Sequence, residues 1–181
     1  LKPGGWAILQ SPVNPNLDPL LIREINVLAS EAASELTKKG KTGVATNIMY
    51  DTWYNVANRT VPLRHNIIGI LTEAATTRLA SPLFIKKSEL RLTGRGYQGS
   101  DIQTNYLEPW PGGWWRMRDI IDYEEIIALS FLKTIAQNKE KYLQNFSLFA
   151  QRQIEKGKTE PPFAFLVPLD QRDLPTAYKL L

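Results

Sequence analysis

Residues 20–40, LLIREINVLASEAASELTKKG, constrain the fold more than any other stretch of this chain. Leu21, Ile25, Leu28, Ala32 and Leu36 recur at spacings of three or four residues, which puts them on one face of a helix. The turn region PVNPNLDPL (12–20) offers Asn16 or Asp18 as the N-cap, and Lys38-Lys39-Gly40 makes a basic last turn and a stop. A one-sided helix needs a layer against which to bury its apolar face. GVATNIMYDTW (43–53) and HNIIGILTEA (65–74) read as strands that provide it, with YNVANRTVPLR (54–64) as the loop between them. The second run is short and β-branched, as in a sheet covered on both faces. The order helix, strand, loop, strand predicts an α/β layer structure.

Further along, KKSELRLTGRGYQGS (86–100) reads as an extended piece or a short hairpin, and LEPWPGGWWRMRD (107–119) as a segment folded over the body. A long helical stretch with one break is expected over 122–158, with Asp122 as its cap and Gly157 as its stop. TEPP (159–162) signals a linker. FAFLVP (163–168) reads as a strand, and Asp173 caps a last helix with Pro175 in its first turn. That strand–turn–helix start divides the chain into 1–158 and 159–181, the latter opening a further α/β domain. The chain begins at Leu1, and both ends read as cuts through a longer polypeptide.

Composition narrows function by exclusion. At 43% hydrophobic and 22% charged residues the chain has the make-up of an ordinary globular domain. No apolar run approaches the roughly 18 residues of a membrane span. The net charge is +4, but lysines and arginines are interleaved with acids, without the concentrated basic stripe of a nucleic-acid binder. Cysteine is absent and His65 is the one histidine, so a self-contained zinc site is not expected.

Several motifs have a plain structural reading. GRGYQG (94–99) matches the dinucleotide-binding glycine pattern, yet SDIQTNYLEPWPGG follows it without a helical period, so it reads as a turn. The glycosylation tripeptides at Asn58 and Asn145 are discounted as chance matches. WPGGWWRMRD (110–119) sets three tryptophans beside two arginines, either as rings that pin a loop to the core or as a platform for sugars or peptides. Glu73 is the informative residue. A carboxylate closing a core strand either forms a structural ion pair, with Arg59, Arg64 or Arg78 as partners, or points into a ligand crevice at the strand's carboxyl end. TNIMYDTWYN (46–55) adds Tyr50, Asp51, Trp53 and Tyr54. Two strand ends would bring these groups to one edge of the sheet, suited to general acid–base work on a polar substrate.

The segments PVNPNLDPLLIREINVLASEAASELTKKGKTGVATN, YDTWYN, RHNIIGILTEAA and PWPGGWWRMRDIIDYE together resemble bacterial zinc carboxypeptidase-like proteins of the M14 metallopeptidase family. The resemblance runs over most of residues 10–168, and HNIIGILTEAA and PGGWWRMRDIIDYE are its most specific pieces. It implies a phosphorylase/hydrolase-like fold, a mixed sheet flanked by helices, of which this chain holds a C-terminal part. It implies a zinc ion that polarises a scissile peptide carbonyl, with Glu73 as general base and Tyr50 or Tyr54 assisting substrate binding. The zinc ligands, a His-x-x-Glu and a later histidine, would precede Leu1, as would the residues that hold the substrate carboxylate. Cofactor and activity would then belong to the full-length protein, and the upstream half of the polypeptide would be this chain's partner. His65 corresponds to no ligand and is expected to make a structural hydrogen bond. The resemblance further implies a periplasmic or extracellular location and a following domain similar to class I glutamine amidotransferases. The alternatives are a non-catalytic peptide- or glycan-binding module of the same fold, and a metal-free structural domain.

Overall fold

The computed structural model describes residues 6–11, 13–49, 52–54, 56–78, 80–90 and 101–180. The first strand, β1 (Trp6–Ser11), leads through a turn to helix α1 (Pro19–Lys38) and then to β2 (Val44–Met49), which pairs parallel with β1. Parallel neighbours require a crossover, and α1 is that crossover. Asp18 is its N-cap: Leu20 N–H donates to the Asp18 carboxylate at 2.8 Å, while Pro19 occupies a position whose N–H would have had no helical partner. The expected apolar face is buried from Leu21 to Leu36, and Gly40 ends the helix in the left-handed region at φ 68°. Neither β1 nor its role in this βαβ unit is anticipated by the sequence reading.

Strand β3 (Thr72–Ala74) joins β1 on its other edge, antiparallel, so the sheet order is β2-β1-β3 and the sheet is mixed. The strand expected over 65–74 therefore shrinks to its last three ladder residues. Pro62 opens a 3-10 turn, Pro62–His65, and Asn66 closes it in the left-handed conformation at φ 60°. Beyond it, Gly69 passes so close to the 57–62 turn that a Cβ there would lie 2.6 Å from the Arg59 carbonyl oxygen. Ile68 and Ile70 pack against Leu21, Ile25, Leu63 and Phe149. The apolar run is thus used in packing rather than in strand pairing.

A second, two-stranded antiparallel sheet links β4 (Leu83–Ile85) with β5 (Gly113–Trp115). The Trp-rich segment does fold over the body, but as a strand. Trp115 is its pin: its indole N–H donates to the Ala75 carbonyl at 2.7 Å, and its ring meets Trp110 and Tyr123 edge-on. Helix α2 (Met117–Gln137) starts ahead of Asp122, because the Asp119 carboxylate caps it by accepting Arg116 N–H at 2.8 Å. Asp122 instead bridges Arg118 at 2.8 Å and Lys41 at 3.5 Å. The expected break falls at Asn138, and α3 (Lys139–Thr159) carries on past Gly157.

Among the described residues, two apolar clusters hold these pieces around α1. One gathers Ala29, Ala32 and Leu36 with Ala75, Trp110, Trp115 and the buried face of α2. The other joins Leu21 and Ile25 to Leu63 and to Phe149 of α3. Burying each leucine, isoleucine or phenylalanine among them stabilises the fold by roughly 1.5–3 kcal/mol. Residues 163–168 form no strand and are largely exposed, Leu166 at 91%, since no described strand pairs with them. The last helix, α4 (Leu174–Leu180), is capped as expected: Asp173 accepts Thr176 N–H at 3.1 Å and the Thr176 hydroxyl at 2.6 Å.

Candidate functional site

Glu73 is the middle residue of β3, with its backbone opposite Ala7 of β1, and it is half-buried. Side chains alternate along a strand. Ala74 packs against the cluster between α1 and α2, so Glu73 lies on the other face of the sheet. The strand is fixed from both sides, by the β1 ladder and by the indole of Trp115 on the Ala75 carbonyl. A carboxylate on such a strand is held in place by backbone that packing has already ordered.

The loop after β2 is tied down by its own hydrogen bonds. Asn14 N–H donates to the Thr52 hydroxyl at 2.6 Å, and the buried Thr60 hydroxyl donates to the Tyr54 carbonyl and, at 3.2 Å, to that of Ala57. Arg64 reaches the Trp53 carbonyl at 3.4 Å. Trp53 and Tyr54 are left half in solvent, Tyr54 at 58% exposure. His65 has the structural role expected of it: Nδ1 lies 2.8 Å from the Val61 carbonyl, an acceptor, so that nitrogen carries the proton. Tyr50 and Asp51 lie outside the described residues.

The structure does not bring the Tyr54 loop and Glu73 to one edge through strand ends. Because β3 runs against β1, its carboxyl end lies where β1 and β2 begin. Glu73 aligns with Ala7, which aligns with Ala45; the loop leaves after Met49, aligned with Ser11. That offset along the sheet is about 13 Å, and β3 stands two strand spacings, about 10 Å, from β2. A crevice at the carboxyl ends of parallel strands is therefore not what positions Glu73.

Among the described residues no group of three or more histidine, aspartate, glutamate or cysteine side chains lies close enough to hold a metal ion. His65 is exposed and its Nδ1 is committed to Val61. The described residues do not fit a zinc site. No described helix is long and apolar enough to cross a membrane.

The three tryptophans of 110–119 divide between the two uses foreseen for them: Trp110 and Trp115 are buried pins, whereas Trp114 is exposed. The glycine pattern at 94–99 lies outside the described residues. Of the two glycosylation tripeptides, Asn58 is exposed with Thr60 buried behind it, and Asn145 is half-buried and donates its amide to Glu24. Glu24 is a buried acid that the sequence reading passes over, although it sits three residues after Leu21 and four before Leu28, on the apolar stripe. That position was the available signal. Comparison with protein-family models, curated proteins and solved structures yields no match. The resemblance to zinc carboxypeptidase-like proteins thus rests on the quoted motifs.

Proposed function

We propose that this chain is the C-terminal part of the catalytic domain of a carboxypeptidase-like hydrolase, with Glu73 as its proton-transferring carboxylate. The supporting observation is the placement of Glu73: half-buried, on a strand anchored on both sides, and facing away from the apolar cluster. A carboxylate so fixed can take a proton from the water that attacks a peptide carbonyl. It can then return that proton to the leaving amine. The mixed sheet with helices on it is compatible with part of a phosphorylase/hydrolase-like fold. The described residues offer no zinc site, so a metal would be held by the preceding half of the polypeptide, and this chain alone would be inactive. A peptide substrate and an exported, periplasmic or extracellular setting belong to the same reading.

The test is Glu73→Gln in a polypeptide that includes the segment before Leu1. Peptide hydrolysis should fall by about 10²–10⁴-fold, while metal content measured by elemental analysis stays unchanged. Turnover near the parent's would overturn the assignment.

A further inference from the structure

The outward face of the β4–β5 sheet carries an arrangement that the proposed hydrolysis does not use. Phe84 and Trp114 are directly opposite in the ladder, and both stand more than half in solvent, at 55% and 53% exposure. Their rings meet edge-on, centroids 5.4 Å apart and planes at 71°, forming an apolar corner. Strand alternation continues this face into Arg116 on one side and Lys86 on the other. The Arg116 guanidinium lies 5.5 Å from the Trp114 ring centre. Glu89 and Asp119, the nearest carboxylates in sequence, accept the backbone N–H groups of Lys86 and Arg116 at 2.7 and 2.8 Å. Asp119 also lies 3.8 Å from Arg116 Nη1, which leaves most of the five guanidinium donors available.

We infer that this face is a binding site for an acidic peptide segment, with an aromatic or aliphatic side chain seated in the Phe84–Trp114 corner and carboxylates on Arg116 and Lys86. Charge complementarity selects an anionic partner. The ring geometry selects a peptide among anionic partners. A nucleobase or a sugar needs an open aromatic face, and the guanidinium already occupies one side of the indole. A corner of two rings suits a compact side chain instead. The site is built on rigid backbone, because Trp115 beside it is anchored to Ala75. The inference goes beyond the proposed hydrolysis and is tested without turnover.

The measurement is fluorescence anisotropy of a labelled hexapeptide of alternating glutamate and phenylalanine, titrated with this chain. Its lysine–phenylalanine counterpart, an oligogalacturonate and a single-stranded oligonucleotide serve as competing probes. Saturable binding of the acidic peptide is expected, weaker at high salt. Trp114→Ala and Arg116→Gln should each weaken it about tenfold, and Phe165→Ala, at an exposed ring outside the β4–β5 sheet, should not. Trp114 is exposed, and Arg116→Gln keeps the backbone N–H that Asp119 accepts, so both variants should retain the parent's circular dichroism. The proposal is overturned by any of four results: no saturable binding, equal binding of the basic peptide, tighter binding of the sugar or oligonucleotide, or parent-like affinity of Trp114→Ala.

Discussion

Glu24 lies within the apolar face of α1, 2% exposed, and its carboxylate accepts the side-chain amide of Asn145 from α3. Beside it, the buried hydroxyl of Tyr142 finds no partner among the described residues, and burial followed by the Glu24 charge pushes its ionisation upward. Removing the donor to a buried carboxylate leaves that acceptor unsatisfied. Asn145→Leu should therefore destabilise by about 1–3 kcal/mol in urea unfolding. Tyr142→Phe should be neutral or stabilising by up to about 1 kcal/mol. Tyr123 carries a pH prediction. Its hydroxyl donates to the Thr42 carbonyl at 2.6 Å, and burial holds the phenol up at about 12 against its ordinary value of 10. Folded Tyr123 therefore keeps its proton where the unfolded chain loses it. That stability is whole below pH 10 and is lost as pH rises towards 12, on the order of 2–3 kcal/mol in all. Unfolding free energies measured between pH 9 and 12 should fall more steeply for the parent than for Tyr123→Phe. Equal slopes would count against the burial account.

At the scale of elements, the β4–β5 sheet depends on Gly112. Its φ is +88°, and a Cβ there would lie 2.7 Å from the Ile85 carbonyl oxygen and 2.9 Å from Lys87 N. Gly112→Ala would meet both backbone strain and a clash, costing about 2–4 kcal/mol and loosening the strand that holds Trp114 and Trp115. Calorimetry, together with the near-ultraviolet signal of the tryptophans, would register both effects. The N-terminus of α1 is less demanding. Asp18 caps it and also meets Arg152 of α3 at 3.1 Å, a pair half-exposed on the arginine side, so Asp18→Ala should cost about 1 kcal/mol. The stripe of α1 was legible, and its cap was narrowed to Asn16 or Asp18, because both act over single helical turns. The start of α2 was misread because Asp122 has the chemistry of a cap, whereas the helix begins directly after β5, with Arg116 at the N-cap position and Asp119 accepting its backbone N–H.

Over the whole molecule, α1 is the shared support: its N-terminal half meets Leu63 and Phe149, and its C-terminal half meets α2 and the Trp115 region. Residues 161–180 contribute no buried side chain. Ending the chain after Glu160 should therefore shift the melting temperature by no more than about 2 °C, read by differential scanning calorimetry. A large drop would mean that this segment packs on the body. It should also improve solubility, since Phe163, Phe165, Leu166, Leu169 and Leu180 are all exposed.

The sequence by itself determined what short-range forces determine: the extent and buried face of α1, a break somewhere within 122–158, the cap at Asp173, and the structural contact of His65, while it narrowed the cap of α1 to Asn16 or Asp18. It also singled out Glu73 and the Trp-rich segment as candidates for a site. Only the tertiary structure decided how they are placed. Strands of three residues, such as β3, β4 and β5, are too short to carry a readable period, and pairing partners far apart in the chain select them. The antiparallel entry of β3 decided at which end of the sheet Glu73 lies. Packing around Ala75 decided which tryptophan is a pin and which faces solvent. Strand direction and burial are properties of contacts between distant segments, and no local spacing encodes them.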